Sequence, residues 1–358
     1  MPIVPLYGHH TLRQRLLHAL QGGALPASLL FHGPAGVGKQ RLALWLAQAL
    51  VCDRDDRPCG ECQHCRFALE LTHPDIHWYF PRPAVKAPAE KQAEAATEDI
   101  LEARAERAAA HGLYPAPDGK SAIGVAFARS MLHAAARTPA MARRKVFIVG
   151  DAERMVAQEG SDESANAVLK LIEEPADDTT VILTSSERDS LLPTIRSRVV
   201  AVRVAPLPPA DVTGFLSNEV VASALAQAHG SVTRSALVQL ANGAPGTLLG
   251  SENRDAATAA ASAMLDAARA HDLAGIYAAA LASGASGARG AFTDSLESLT
   301  VLLHDVTREA VVAGDDRTSR NAAAGVDTVE DARGMAHGNV NPQLIAANVM
   351  LDLARRLS

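Results

Sequence analysis

The run His32-Gly33-Pro34-Ala35-Gly36-Val37-Gly38-Lys39-Gln40 spaces its glycines and lysine as a phosphate-binding loop does, then departs from the pattern at the next residue. In such a loop backbone N–H groups cradle phosphates, the lysine reaches the terminal ones, and a Ser or Thr hydroxyl ligates magnesium. Gln40 stands in the hydroxyl position. A long amide is not a usual ligand for a compact octahedral cation. Gly33, Gly36, Gly38 and Lys39 therefore keep the means of holding ATP or ADP, while hydrolysis loses a metal ligand. A second site element follows the apolar run Lys145 to Val149, in Gly150-Asp151-Ala152-Glu153. A working ATPase of this type places Asp on the magnesium shell and Glu directly after it to orient the attacking water. Ala152 takes that second place; Glu153 lies one residue further on and reads equally well as a helix-start acid. Two defects at separate positions predict no intrinsic ATPase activity. Nucleotide binding without hydrolysis, with Asp151 part of a degenerate site, and a loop kept only for its fold look the same in sequence.

The four cysteines, Cys52, Cys59, Cys62 and Cys65, follow the spacing C-x6-C-x2-C-x2-C. Four thiolates this close match a closed tetrahedral zinc site of structural type. A redox Cys-x-x-Cys pair would not need two more cysteines, and iron–sulfur or other soft ions fit four thiolates as well. His64 and His73 are alternative ligands, read here as surface residues. Because the cluster interrupts the first strand–helix unit and does not line the phosphate loop, chelation should loosen it without touching nucleotide chemistry.

These groups need a sheet to position them. Apolar runs at Ser28 to His32, Ile76 to Phe80, Val146 to Val149, Val181 to Thr184 and Val199 to Val204 alternate with helix-like segments at 125–137, 164–173 and 188–196. The pattern predicts an α/β domain with a five-stranded parallel sheet over residues 1–205, the metal module inserted at 52–65. Leu42, Trp45, Leu46 and Ala49 share one face of a helix directly after Lys39, the context a phosphate loop requires. Residues 81–119 are rich in Pro, Ala, Glu and Arg and poor in large apolar side chains, which predicts a solvated helix or flexible insertion without chemistry. Pro206-Leu207-Pro208-Pro209 marks a boundary, followed by a small helical domain over 206–252 and an all-helical domain over 253–358.

The chain has 358 residues, 48% hydrophobic and 21% charged, which fits a soluble protein of two or three domains. A net charge of −6 argues against an independent, nonspecific nucleic-acid binder. Without a membrane-length apolar run, and with a Met1-Pro2-Ile3-Val4-Pro5 start unlike a secretory signal, it is read as cytoplasmic and without membrane contact.

As a set, these residues resemble the delta-prime family of bacterial DNA polymerase III clamp-loader subunits, AAA+ proteins related to the gamma/tau motor subunits. The resemblance rests on Gly33 to Lys39, the four-cysteine module after the following helix, and His73-Pro74-Asp75. It continues through Asn166-Ala167-Val168-Leu169-Lys170-Leu171-Ile172-Glu173-Glu174-Pro175 and Leu191-Leu192-Pro193-Thr194-Ile195-Arg196-Ser197-Arg198. It implies an AAA+ fold, a lid over 206–252, and an oligomerisation collar over 253–358. The implied role is a non-motor (stator) subunit in a hetero-pentameric ring with gamma/tau and delta subunits. The assembly would load the sliding clamp onto primer-template DNA in replication. Ser197-Arg198 resembles the Ser-Arg-Cys motif, with Val199 replacing the cysteine, which implies that Arg198 is an arginine finger offered in trans to a neighbour's ATP; the alternative is a surface ion pair. Ser185 or Ser186 matches a region that senses the terminal phosphate, whereas Thr247 supplies no charge where motor subunits carry a sensing arginine. Glu173-Glu174 reads as a helix end rather than an acid/base pair. Two rival readings are a gamma-like ATPase that tolerates Gln40, with Glu153 as the missing acid, and a zinc-dependent interaction adaptor.

Overall fold

The computed structural model describes residues 2–117, 121–155, 163–229, 232–250, 252–284, 289–336 and 340–357. Short, largely apolar runs build β1 (Ser28–His32), β2 (Ile76–Tyr79), β3 (Lys145–Val149), β4 (Thr179–Ser185) and β5 (Val200–Arg203). All pair in parallel, in the order β2-β3-β4-β1-β5. Every residue of β3 and β4 is buried, as a sheet covered on both faces requires. Leu30 lies opposite Leu183 on one side and Ala201 on the other, so β1 is an interior strand. The loops leaving β1, β3 and β4 thus emerge side by side at the carboxyl edge of the sheet, where open α/β sheets bind ligands.

Helices α1 (His10–Gln21), α2 (Lys39–Val51), α3 (Gln63–Leu69), α4 (Gln92–Ala109), α5 (Val125–Ala135), α6 (Glu163–Glu173) and α7 (Pro193–Arg196) complete this layer. In α2, all residues but Arg41 are buried; a helix this apolar around its circumference can only sit inside. Arg41 is held at the backbone carbonyl of Val4.

Residues 81–117 are not the solvated appendage the composition of the 81–119 segment suggests; positions 118 and 119 lie outside the described residues. Helix α4 buries Ala96, Ile100, Ala103 and Arg104 against the core of the sheet domain. Alanines leave no bulky apolar stripe in the sequence, yet they let a helix approach closely. Two arginines fasten the segment: Arg104 donates to the Leu71 carbonyl at 2.6 Å, and Arg82 pairs with Asp99 at 2.7 Å.

Beyond β5, α8 (Pro209–Leu216), α9 (Glu219–His229) and α10 (Arg234–Ala241) enclose their own small core of Val212, Leu216, Val221, Leu225 and Leu237, joined by Val4 from the N-terminus. This segment belongs to the same compact unit as the sheet. A second unit contains α11 (Glu252–Arg269), α12 (Leu273–Ala282), α13 (Arg289–Ala313), α14 (Asp316–Ala336) and α15 (Pro342–Leu357). Its core is built on Leu296, Leu299, Leu303, Val349, Met350 and Leu353. Among the described residues, no helix is long and apolar enough to cross a membrane.

Candidate functional site

The loop from Gly33 to Gly38 uses its glycines where other residues could not sit. Gly36 and Gly38 take φ of 76° and 93°, and Gly36 is packed beneath Thr247 and Ala244, so that a Cβ there would overlap them. Gly246 donates its N–H to the Gly36 carbonyl at 2.9 Å, which fastens the segment Pro245–Leu249 to the outside of the loop. Thr247 packs its side chain and backbone against Gly36. On the N-terminal side His9 donates from Nε2 to the Val37 carbonyl at 2.9 Å.

Lys39, at the start of α2, is buried, and its ammonium donates to the carbonyls of Gly33 (2.9 Å) and Pro34 (2.8 Å) and to Ser186 Oγ (2.9 Å). Of the two candidate serines, Ser186 therefore faces the loop lysine. Ser185 Oγ turns away to accept from the Glu187 N–H.

Gln40 and Asp151, the two residues that would share a magnesium shell, are bonded to each other. Gln40 Nε2 donates to Asp151 Oδ2 at 3.0 Å. The amide oxygen is also occupied, accepting from Trp78 Nε1 at 3.0 Å and from the Tyr114 hydroxyl at 3.4 Å. The side chain lies flat on Gly150, where any Cβ would overlap the amide. Asp151 adopts a left-handed φ of 49° and donates its N–H to Thr184 Oγ1, which aims its carboxylate at α2.

Glu153 lies in the first turn of the short 3-10 helix Ala152–Met155, with its carboxylate turned inward. Its Oε1 accepts the Ser186 N–H at 2.9 Å, while Oε2 is shut off from solvent without a partner. Burial, reinforced by the charge of Asp151, pushes its carboxyl up to about 7. A water-orienting glutamate must be ionised and free to reach the water, and Glu153 is held on the backbone of the neighbouring strand loop.

Sequence reasoning missed the residues around Gln40. Trp78, at the end of β2, lies 38 positions from Gln40, and Tyr114 lies 74 away. Arg107, on α4, lies 3.3 Å from the Phe80 ring centroid, 3.7 Å from that of Tyr114 and 4.6 Å from that of Trp78. Burial lowers its guanidinium to about 10, so it remains cationic at neutral pH. A segment read as free of chemistry therefore lines the metal side of the loop.

Cys52, at the end of α2, and Cys59, Cys62 and Cys65 bring four Sγ atoms within 4.8 Å of one another, a group that can hold a metal ion. Cys62 caps α3, its Sγ accepting the Cys65 N–H; Cys59 Sγ accepts the Cys62 N–H in turn. Such N–H donors favour thiolate, and they lower Cys59 to about 7, whereas burial raises Cys65. The candidate ligands His64 and His73 are not part of the group. Their rings stack, with Nδ1 and Nε2 3.0 Å apart, and His73 is buried rather than exposed. His73 Nδ1 accepts the Asp75 N–H, and the Asp75 carboxylate accepts the N–H groups of Ala140, Met141 and Ala142. His73-Pro74-Asp75 is thus a structural clamp between the cysteine module and the turn that enters β3.

Arg198 lies after α7, two residues before β5. Its side chain is 40% exposed; Nε lies 2.6 Å from Glu173 Oε1, and one terminal nitrogen donates to the Thr194 carbonyl and Ser197 Oγ. Ser197 in turn donates to the Thr194 carbonyl. Glu173, at the end of α6, is the carboxylate partner of Arg198.

Comparison with known proteins bears on the whole sheet domain. The family model described as DNA polymerase III, delta subunit, matches residues 8–208, more than half of the chain. DNA polymerase III subunit delta' of Pseudomonas aeruginosa is 32% identical over 199 residues, 55% of this chain and 48% of that protein. DNA polymerase III subunit gamma/tau of Mycobacterium bovis is 32% identical over 202 residues, 56% of this chain and 28% of that protein. The chain thus spans about half, or less, of the length of these curated relatives. Among solved structures, a gamma subunit-related protein of Thermotoga maritima aligns over 98% of this chain and 99% of its own, with 16% identity and a TM-score of 0.42. Matched over most of its sheet domain and similar to delta' proteins of several bacteria, the chain belongs to the DNA polymerase III delta-subunit family.

Proposed function

We propose that this chain is a non-motor subunit of a clamp loader. In this reading it joins gamma/tau and delta subunits in a hetero-pentameric ring in the cytoplasm, which loads a sliding clamp onto primed DNA. The observation that carries the non-motor reading is the 3.0 Å hydrogen bond from Gln40 to Asp151. At the two positions where a working loop holds magnesium, Gln40 and Asp151 are hydrogen-bonded to each other, so in this reading the loop holds ATP or ADP without hydrolysing it.

The chain's contribution to catalysis would be Arg198, at a neighbour's site. Half-exposed and steered by Glu173 and Ser197, its guanidinium can neutralise charge developing on a phosphoryl group in the adjoining subunit. Fingers of this kind are worth about 10³–10⁵ in rate. The cysteine module would hold zinc. A tetrahedron of Zn–S bonds of about 2.3 Å spaces its sulfurs about 3.8 Å apart, and Cys52 lies 3.7 Å from Cys59 and 3.9 Å from Cys62, with Cys59 3.9 Å from Cys65.

The test is ATP turnover by the purified chain, together with its recovery in complex with gamma/tau and delta subunits. No turnover and stable recovery are the expected results. Turnover abolished by Lys39→Ala would make the chain a gamma-like motor. Failure to assemble would point to a zinc-dependent adaptor.

A further inference from the structure

The residues around Gln40 form a more complete arrangement than a lost metal ligand needs. A divalent cation in a phosphate loop does three things: it occupies the space between the loop and the acidic strand end, it satisfies the Asp carboxylate, and it supplies positive charge. Here each is done by protein atoms. The Gln40 amide fills the space, pressed onto Gly150. Its Nε2 satisfies Asp151. Arg107 sets a cationic group among Phe80, Trp78 and Tyr114, the last two being the residues that hydrogen-bond the Gln40 amide oxygen.

Two of these parts come from the inserted segment, Arg107 on α4 and Tyr114 beyond it, and Tyr114 also fixes the amide by donating to Gln40 Oε1. The amide cannot turn away to admit a cation without leaving the Trp78 N–H and the Tyr114 hydroxyl unbonded in a buried site. Arg107 Nη1 is closed to solvent and unpartnered.

We infer that Gln40, with Arg107 and Tyr114 of the inserted segment, supplies a built-in replacement for the divalent cation, so that the loop binds a nucleoside di- or triphosphate with no requirement for magnesium. The loop amides and Lys39 provide the phosphate contacts, and Lys39 would exchange its bonds to the Gly33 and Pro34 carbonyls for phosphate oxygens. This rests on reading the loop as a non-hydrolysing nucleotide site.

The experiment is a titration of the full-length chain with a fluorescent ADP analogue, in buffer with millimolar magnesium and in buffer from which magnesium is omitted. Omission, rather than EDTA, leaves the cysteine module its metal. The expected result is a Kd that agrees within about twofold between the two buffers, and no manganese bound at the loop by electron paramagnetic resonance when ADP is present. In Gln40→Thr, which restores a hydroxyl and clears the amide, magnesium should tighten binding by about tenfold. A wild-type Kd that improves tenfold or more with magnesium, or no binding of the analogue in either buffer, would overturn the inference. The wild-type comparison decides the matter even if Gln40→Thr does not fold. Parallel measurement of ATP turnover separates the two claims. Turnover contradicts the non-motor reading, whereas magnesium-dependent binding without turnover contradicts only the replacement of the cation.

Discussion

The cysteine module and the phosphate loop both look like binding motifs in the sequence, and the fold treats them in opposite ways. In the module, four Sγ atoms lie within 4.8 Å of one another, and those of Cys59 and Cys62 accept backbone N–H groups. The group can hold a metal ion. In the loop, by contrast, Lys39, Gln40 and Asp151 have all found partners inside the chain. A motif that is spelled almost fully can therefore be closed on itself, and spacing alone does not distinguish the two cases. What distinguishes them is whether other parts of the chain supply complementary atoms.

The largest effect should come from the module. Cys65→Ser, or chelation, removes a bond that no protein group can replace. Both should lower unfolding free energy by about 3 kcal/mol or more, read by thermal denaturation beside metal analysis of the same samples. One zinc per chain in the wild type and less in the variant is expected. An unchanged melting curve with metal lost would erase the contrast, because the module too would then be self-sufficient.

Next in size is Gln40→Ala. It strips partners from the Trp78 indole, the Tyr114 hydroxyl and Asp151 together. We expect a loss of about 2–4 kcal/mol in urea denaturation, well above that of an exposed glutamine. A loss below about 0.5 kcal/mol would mean that these bonds are not holding the loop shut.

How far the sequence could lead is clearest at these two places. The strands were found to within a residue or two, because buried parallel strands are nearly continuous apolar runs, as in Lys145–Val149. The four cysteines were found because their spacing is local. The partners of Gln40 were not, since they come from β2 and from an alanine-rich insertion whose buried face carries no large apolar stripe. His73 was misjudged as a surface residue for a related reason: its burial follows from the Asp75 clamp on Ala140 to Ala142, a pairing 65 residues long that no local pattern announces. Glu153 offered one signal, its position two residues after Asp151. That position carries it into the strand-end cluster rather than onto the surface.

A smaller, pH-dependent effect should come from Glu153. Its carboxyl is raised from 4.5 to about 7, so the folded protein binds this proton more tightly than the unfolded chain does. The resulting contribution to stability is fully present below about pH 4.5 and is lost as the pH rises through about 7. Glu153→Gln should therefore match the wild type near pH 5 and exceed it by about 1–3 kcal/mol at pH 8, in paired denaturation curves. A gain of equal size at both pH values would locate the effect elsewhere than in the buried charge.

In the proposed reading Arg198 is the counterpart of the loop, a group that would act beyond its own chain. Its pairing with Glu173 is largely solvent-exposed, so Arg198→Ala should shift stability by less than about 1 kcal/mol. The most direct test of a chain that gives catalysis away rather than performing it is DNA- and clamp-stimulated ATP hydrolysis by the reconstituted ring. Arg198→Ala and Lys39→Ala, both in this chain, would be compared with the wild type. A fall of about a hundredfold or more at the adjoining site with Arg198→Ala, beside a rate within about twofold of wild type with Lys39→Ala, is the expected pair of results. A ring that loses activity with Lys39→Ala and keeps it with Arg198→Ala would contradict it.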